Sequence, residues 1–218
     1  MAIKLFDLLI QDGLYECNEY HKNEVIRYAH EINPKRIYLI KSGVVKMSYL
    51  NELGEEIIIT ILAKNEHFGT NRIFCESSFK YNYESIYLKT MVYEFEFSVV
   101  RSVIEKHTIL HKEICSMIGK EYSMLEKRIR ILQNRFVEQR LVQTIEEFKD
   151  KFEVHKFPDK SICIFFPFTQ DELSAYIRAS RVITNKIINE FKRKFLIECN
   201  NNNTIILKKN YFDLYKFW

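Results

Sequence analysis

Nowhere in these 218 residues does an apolar run approach the roughly 18 residues that cross a bilayer. The first residues also lack the charged, apolar and small-residue succession of a secretory leader, so a soluble protein of an internal compartment is expected, with no membrane partner. Cysteine is scattered. Cys17, Cys75, Cys115, Cys163 and Cys199 contain no Cys-x-x-Cys pair, and their odd number fits a reducing compartment better than a disulfide framework. No Gly-rich phosphate loop, paired-carboxylate site or Gly-x-Ser-x-Gly elbow is present, so nothing positive points to an enzyme. Glycine and proline are scarce, at 5 and 3, beside abundant Ile, Lys, Asn, Phe and Tyr. That is the bias A/T-rich codons produce, and it is read as a mark of the genome rather than of the fold.

What is there suffices for a core: 47% of residues are hydrophobic, and the length suits two small domains. The net charge of +4 permits nucleic-acid binding without demanding it. Its placement is more telling. Residues 169–209 hold Arg178, Arg181, Lys186, Lys192, Arg193, Lys194, Lys208 and Lys209 against Asp171, Glu172, Glu190 and Glu198, a surplus equal to that of the whole chain.

Up to about residue 106 the chain reads as short, partly alternating apolar segments at 36–40, 44–50, 56–62 and 87–97. Lys41-Ser42-Gly43 and Asn51-Glu52-Leu53-Gly54 lie between them, with Gly43 and Gly54 where hairpins need positive φ. The pattern predicts an antiparallel sandwich or roll. The period then changes: Ile118, Tyr122, Leu125, Ile129, Leu132 and Phe136 recur at alternating spacings of four and three, with Lys127, Arg128 and Arg130 directed away from the seam. This predicts one long helix pairing with a second copy; packing on its own domain is the plainer alternative. Residues 137–152 continue as an amphipathic helix through Leu141, Ile145 and Phe148, followed by a loop at 155–159 and a strand at 161–168. The expected class is α+β: an N-terminal antiparallel β jelly roll over 1–109, a dimerisation helix over 110–136 and a winged helix-turn-helix over 137–218.

The last element follows from local chemistry. Thr169-Gln170-Asp171-Glu172 is a capping box, and Leu173 and Ile177 give its helix a buried face. Arg178-Ala179 makes a turn, and Ser180 caps a second helix running to about Lys194 with Val182, Ile187, Ile188 and Phe191 inside. Residues 195–199 and 204–207 then form a hairpin. In such a motif the second helix enters the major groove of duplex DNA. Arg181, Thr184, Asn185 and Lys186 are expected to project together from it, and Thr169, Gln170 and Ser180 join them as DNA-binding candidates: Arg forks onto guanine, Asn pairs with adenine, and Thr or Lys meets a methyl or a phosphate.

In this order and spacing, several strings resemble the bacterial cyclic-AMP receptor and fumarate-nitrate regulator family across nearly the whole chain. Tyr38-Leu39-Ile40-Lys41-Ser42-Gly43-Val44-Val45-Lys46 looks like the jelly-roll signature, Gly54-Glu55-Glu56-Ile57 like its hairpin, and Phe68-Gly69 like the start of the effector loop. Arg140-Leu141 and Ser180-Arg181-Val182 continue the likeness into the recognition helix. Within the family the sequence is most similar to the cyanobacterial nitrogen regulators and, given its composition, to their red-algal plastid counterparts. The resemblance implies a homodimer on a palindromic operator at nitrogen-related genes, an activator contacting RNA polymerase, in a plastid stroma or otherwise a bacterial cytoplasm.

It also frames the effector. Cyclic-AMP binders follow Phe-Gly with a Glu, whereas here Thr70, Asn71 and Arg72 follow. Iron-sulfur members need clustered N-terminal cysteines, and only Cys17 is there. Neither cyclic AMP nor a cluster is expected, nor haem. The nitrogen regulators hold 2-oxoglutarate with arginines, and those positions fall near Tyr81 and at Glu121. Phe68, Gly69 and Glu126 fit the pattern, and Arg72 or Lys80 is the candidate replacement charge. A rearranged site and a regulator competent without effector both remain open. His107, His111 and Cys115 fall at successive turns of an expected helix, but a single helix aligns at most two ligands well, so no metal is expected. Two alternatives stand beside the DNA-binding reading. One is a jelly-roll signalling subunit acting on a partner protein, which would not need Arg181, Asn185 and Lys186 exposed. The other is a winged helix that binds RNA or protein.

Overall fold

Alternating inward residues organise the first half into two facing sheets. The computed structural model describes residues 4–30, 35–70, 81–200 and 203–215, in two units, Met1–Leu125 and Glu126–Trp218. The first contains β1 (Glu16–His21), β2 (Val25–Arg27), β3 (Arg36–Ser42), β4 (Val45–Leu50), β5 (Glu56–Leu62), β6 (His67–Phe68), β7 (Asn82–Ser85) and β8 (Lys89–Glu96). These pair antiparallel in the orders β1-β8-β3-β6 and β2-β7-β4-β5, the expected roll. β3 is buried on both faces. Ile37 and Leu39 pack with Phe95 under α1 (Leu5–Gln11) and α2 (Phe97–Lys106), while Tyr38 and Ile40 join Ile26, Val45, Leu62, Tyr83 and Val92 from both sheets.

Both glycines take positive φ, 93° at Gly43 and 78° at Gly54, but only one closes a hairpin. Gly54 joins β4 to β5, which pair directly. At Gly43 the chain instead crosses from one sheet to the other, because β3 and β4 belong to different sheets. A Cβ on Gly43 would lie 2.7 Å from Thr90 Cα, so that crossing requires both the φ and the missing side chain.

α2 was not expected, and it changes the histidine geometry. His107 caps the C-terminal end of α2, and α3 (Leu110–Gln133) begins anew, so His107 does not share a helix with His111 and Cys115. The His111 ring nitrogen lies 3.1 Å from the Thr108 carbonyl instead.

The second unit takes the last turns of α3 with α4 (Val137–Lys151), β9 (Val154–Lys156), β10 (Ile162–Phe165), α5 (Gln170–Tyr176), α6 (Arg181–Arg193), β11 (Ile197–Asn200), β12 (Thr204–Leu207) and α7 (Lys209–Leu214). Leu141, Ile145 and Phe148 of α4 are buried as expected. Phe148 lies edge-on to Phe166 and Tyr176 and against Phe168, an aromatic core for the small domain. The strands form one sheet, β11-β12-β10-β9. The expected loop at 155–159 is partly strand: His155 pairs with Cys163, and β9 extends the sheet. α7 gave no sequence signal that we recognised. With α5, α6 and the β11–β12 hairpin, the unit is a winged helix-turn-helix.

Candidate nucleic-acid interface

The helix-turn-helix is fixed at both of its starts by side-chain caps. Thr169 Oγ1 accepts from the Glu172 amide at 3.2 Å, while Glu172 Oε2 accepts from the Thr169 amide at 2.9 Å, the complete capping box. Ser180 Oγ accepts from the Ile183 amide at 3.3 Å and starts α6. The turn between them passes through Arg178 at φ 50°. Thr169, Gln170 and Ser180 are all exposed at these helix starts.

The face of α6 differs from the expected one. Thr184 is fully buried, with its hydroxyl donating to the Ser180 carbonyl at 3.1 Å, so it does not project with Arg181 and Lys186. Val182, expected inside, is 78% exposed. Inside are Thr184, Ile188 and Phe191, and the 3.6-residue period then turns Val182, Lys186, Asn189 and Arg193 outward as one line. Arg181 and Asn185 flank that line. Asn185 is half-buried with its Oδ1 turned inward and unpaired among the described residues, while Arg181 is exposed. Arg181 Nε lies 3.0 Å from Asp171 Oδ1, an exposed pair worth little stability. It nonetheless aims the side chain and leaves the two terminal nitrogens available for a bidentate contact.

Sequence reasoning missed Val182, Asn189 and Asp171. The signal was the 4-3 spacing of Thr184, Ile188 and Phe191, masked because Val182, Ile183 and Ile187 offer a competing apolar line. Ile183 and Ile187 instead line a cleft of about 480 Å³ with Phe136, Val142 and Tyr215.

On α3, Ile118, Tyr122, Leu125 and Ile129 are exposed, Tyr122 to 69%, and Leu132 is half-buried; Phe136, beyond the helix end, is exposed. Large apolar side chains are thus left open along one face of an otherwise charged helix. Arg128 departs from expectation, since it is buried rather than turned to solvent.

The expected effector residues are dispersed. Phe68 is a core residue, stacked between Tyr38 (4.6 Å) and Tyr83 (4.2 Å). Gly69 takes φ 85°, and a Cβ there would meet the Arg36 carbonyl at 3.0 Å. Glu126 sits on the exposed side of α3, paired with Arg130 at 2.6 Å. Asn71, Arg72 and Lys80 lie outside the described residues. Thr70 is buried and its hydroxyl donates to Glu121 Oε1 at 2.8 Å; His67 Nδ1 stands 3.2 Å from both. The roll therefore meets α3 through an internal hydrogen-bonded cluster around Glu121.

Residues 17–107 match the cyclic nucleotide-binding domain family. The anaerobic regulatory protein of Bacillus subtilis is 23% identical over 212 residues, 92% of this chain and 86% of that one. FixK2 from Bradyrhizobium japonicum superposes with a TM-score of 0.75 at 15% identity, covering 93% and 96% of the two chains. A transcriptional regulator of the CRP/FNR family from Thermus thermophilus gives 0.66 at 18%, covering 92% and 98%. The fold is that of the CRP/FNR regulators. An uncharacterized protein of Haemophilus influenzae is 36% identical over 64 residues, 29% of this chain and about half (49%) of that one.

The cluster around Glu121 has a definite pH signature. Burial and the nearby Lys120 charge push His67 down to about 4, from an ordinary value of 6.5, and burial pushes the Glu121 carboxyl up. His67 is therefore uncharged at neutral pH, and its contact with Glu121 is not an ion pair there. Between pH 6.5 and 4 the unfolded chain holds a proton on His67 that the native one does not. Stability from this residue is therefore complete above about 6.5 and falls as the pH drops towards 4, by about 3 kcal/mol. Urea unfolding across this range should show a smaller acid loss for His67→Gln than for the wild type, by about 2–3 kcal/mol. Equal losses would mean that His67 titrates normally.

Proposed function

We propose that this protein is a transcription regulator that binds duplex DNA sequence-specifically, as a homodimer on a two-fold symmetric operator. The observation that carries the reading is α6: a helix capped by Ser180 and held by a wing, with Val182, Lys186, Asn189 and Arg193 in one exposed line beside Arg181. Lysine and arginine supply phosphate and guanine contacts, asparagine an adenine contact and valine a contact to a thymine methyl. Relatives and structural neighbours named as regulators support it. The exposed stripe of α3 supports the homodimer. Nitrogen-related target genes, contact with RNA polymerase, activation and a plastid stroma follow from the resemblance to the nitrogen-regulator branch and belong to the proposal.

The effector side of the reading is that 2-oxoglutarate is not a strong activator. Glu121 stands where the resemblance requires a positive charge, and it is engaged by Thr70. A carboxylate facing a dicarboxylate is repulsive, and a ligand shifts a two-state protein only through its difference in affinity for the two states. The dimer then either binds its operator unliganded or answers to another effector, which is neither cyclic AMP, haem nor a cluster.

Selection from random duplexes should return a palindrome with half-sites about one helical turn apart, of a GTA and TAC kind by the resemblance. Arg181→Ala should cost ~1–3 kcal/mol of discrimination at one base pair per half-site; an unchanged base preference would remove Arg181 from the readout. Replacing Leu125 and Ile129 together by Glu should give monomers with little operator affinity, and a dimer by light scattering would show that the stripe is not the interface. Operator titrations with and without 2-oxoglutarate should differ by less than tenfold, ~1.4 kcal/mol; a larger gain would mean that the effector is retained.

A further inference from the structure

The chemistry of Arg128 is used by none of the functions above, yet it is among the most constrained charges in the molecule. It lies on α3, one residue before Ile129 of the exposed stripe, and is 8% exposed. Its guanidinium carbon sits 3.5 Å from the centre of the Tyr176 ring, and its Nη2 donates to the Tyr176 carbonyl. Nη1 is buried with no hydrogen-bond partner among the described residues. Tyr176 is fully buried, and its hydroxyl donates to Glu147 Oε1 of α4 at 3.2 Å. Burial lowers the Arg128 pKa, while Tyr176 and Glu147 act to hold the charge.

The place of this contact gives it meaning. Tyr176 is the last residue of α5, where carbonyls lose their helical partners. The turn that follows satisfies three of them: Ile177 donates to Leu173 at 2.9 Å, Ala179 to Ser174 at 2.9 Å and Arg178 to Ala175 at 3.2 Å. The Tyr176 carbonyl is taken by Arg128, a cation at the negative end of a helix. The next four residues lead into α6. On the same turn of α3, Ile131 is buried beside Arg128 while Ile129 points outward.

We propose that Arg128 is a positioning residue for operator recognition: from the last turns of α3, which carry Ile129 of the proposed seam, it caps the first helix of the helix-turn-helix, and so fixes the angle between those turns and the recognition helix. This rests on the DNA-binding reading above. A residue with this role governs half-site spacing rather than base choice. A flat guanidinium on an aromatic face also holds orientation in a way a point charge does not.

The test uses the full-length dimer and duplexes whose two selected half-sites are moved apart or together by one and two base pairs. The wild type should prefer one spacing by tenfold or more. Arg128→Met should bring the spacings within threefold of each other, while light scattering still gives a dimer and the Arg181-dependent base preference is kept. Exchanging a buried ion for an apolar residue of similar size leaves a fold intact in general. Should the Met variant melt below the assay temperature, Arg128→Lys is scored by the same ratio. Tyr176→Phe, which keeps the ring and the carbonyl, should behave as wild type. An Arg128→Met protein whose spacing ratio stays within twofold of wild type overturns the positioning role alone. A wild type that binds no duplex overturns the DNA-binding reading and this inference with it.

Discussion

A single helix has to satisfy three surfaces at once. α3 runs 24 residues, about 36 Å at the rise of an α-helix. Its first turns contribute Leu110 and Ile114 to the core of the roll, with Glu113 accepting from the Leu5 amide at 2.7 Å. Farther along, Glu121 is held by Thr70, and near the end Arg128 and Ile131 turn inward. What the period leaves over is the outward line of Ile118, Tyr122, Leu125 and Ile129. With 3.6 residues per turn these assignments are not independent, because inserting or deleting a single residue anywhere in α3 would rotate every later contact by about 100°.

Much of this was legible in the sequence, for physical reasons specific to each element. Caps are local chemistry, so Thr169 and Ser180 marked their helix starts correctly. Gly54 sits in a turn whose φ few residues accept. The spacing of the α3 stripe is a helical signature that no strand produces. Tertiary choices were less readable. Two apolar lines compete on α6, and only packing against the rest of the winged helix shows that Thr184, Ile188 and Phe191 face in. Gly43 has the φ of a hairpin residue, but the chain uses it to change sheets. Arg128 reads as a solvated charge, because nothing local announces that an aromatic ring and a helix-end carbonyl await it.

The effector end shows the same limit from another side. Phe68 and Gly69 were recognised as a string, yet Phe68 is part of an aromatic stack and Gly69 a tight backbone contact. Packing accounts for both residues, independent of any ligand. The neighbouring chemistry is polar but self-contained, since Thr70, His67 and Glu121 are close enough to engage one another. Burial keeps the His67 ring uncharged at neutral pH, so the imidazole offers an anion no positive charge to set against the Glu121 carboxyl.

The open stripe on α3 has a consequence for control. In the proposed homodimer a second copy covers this face, which gives the chain its own counting device. Well below the dissociation constant, the amount of paired protein rises as the square of the amount of chain. Halving synthesis then removes three quarters of the paired species. On the proposed reading, with the Glu121 cluster satisfied internally, the protein would take its signal from its own abundance, with the steepness supplied by mass action.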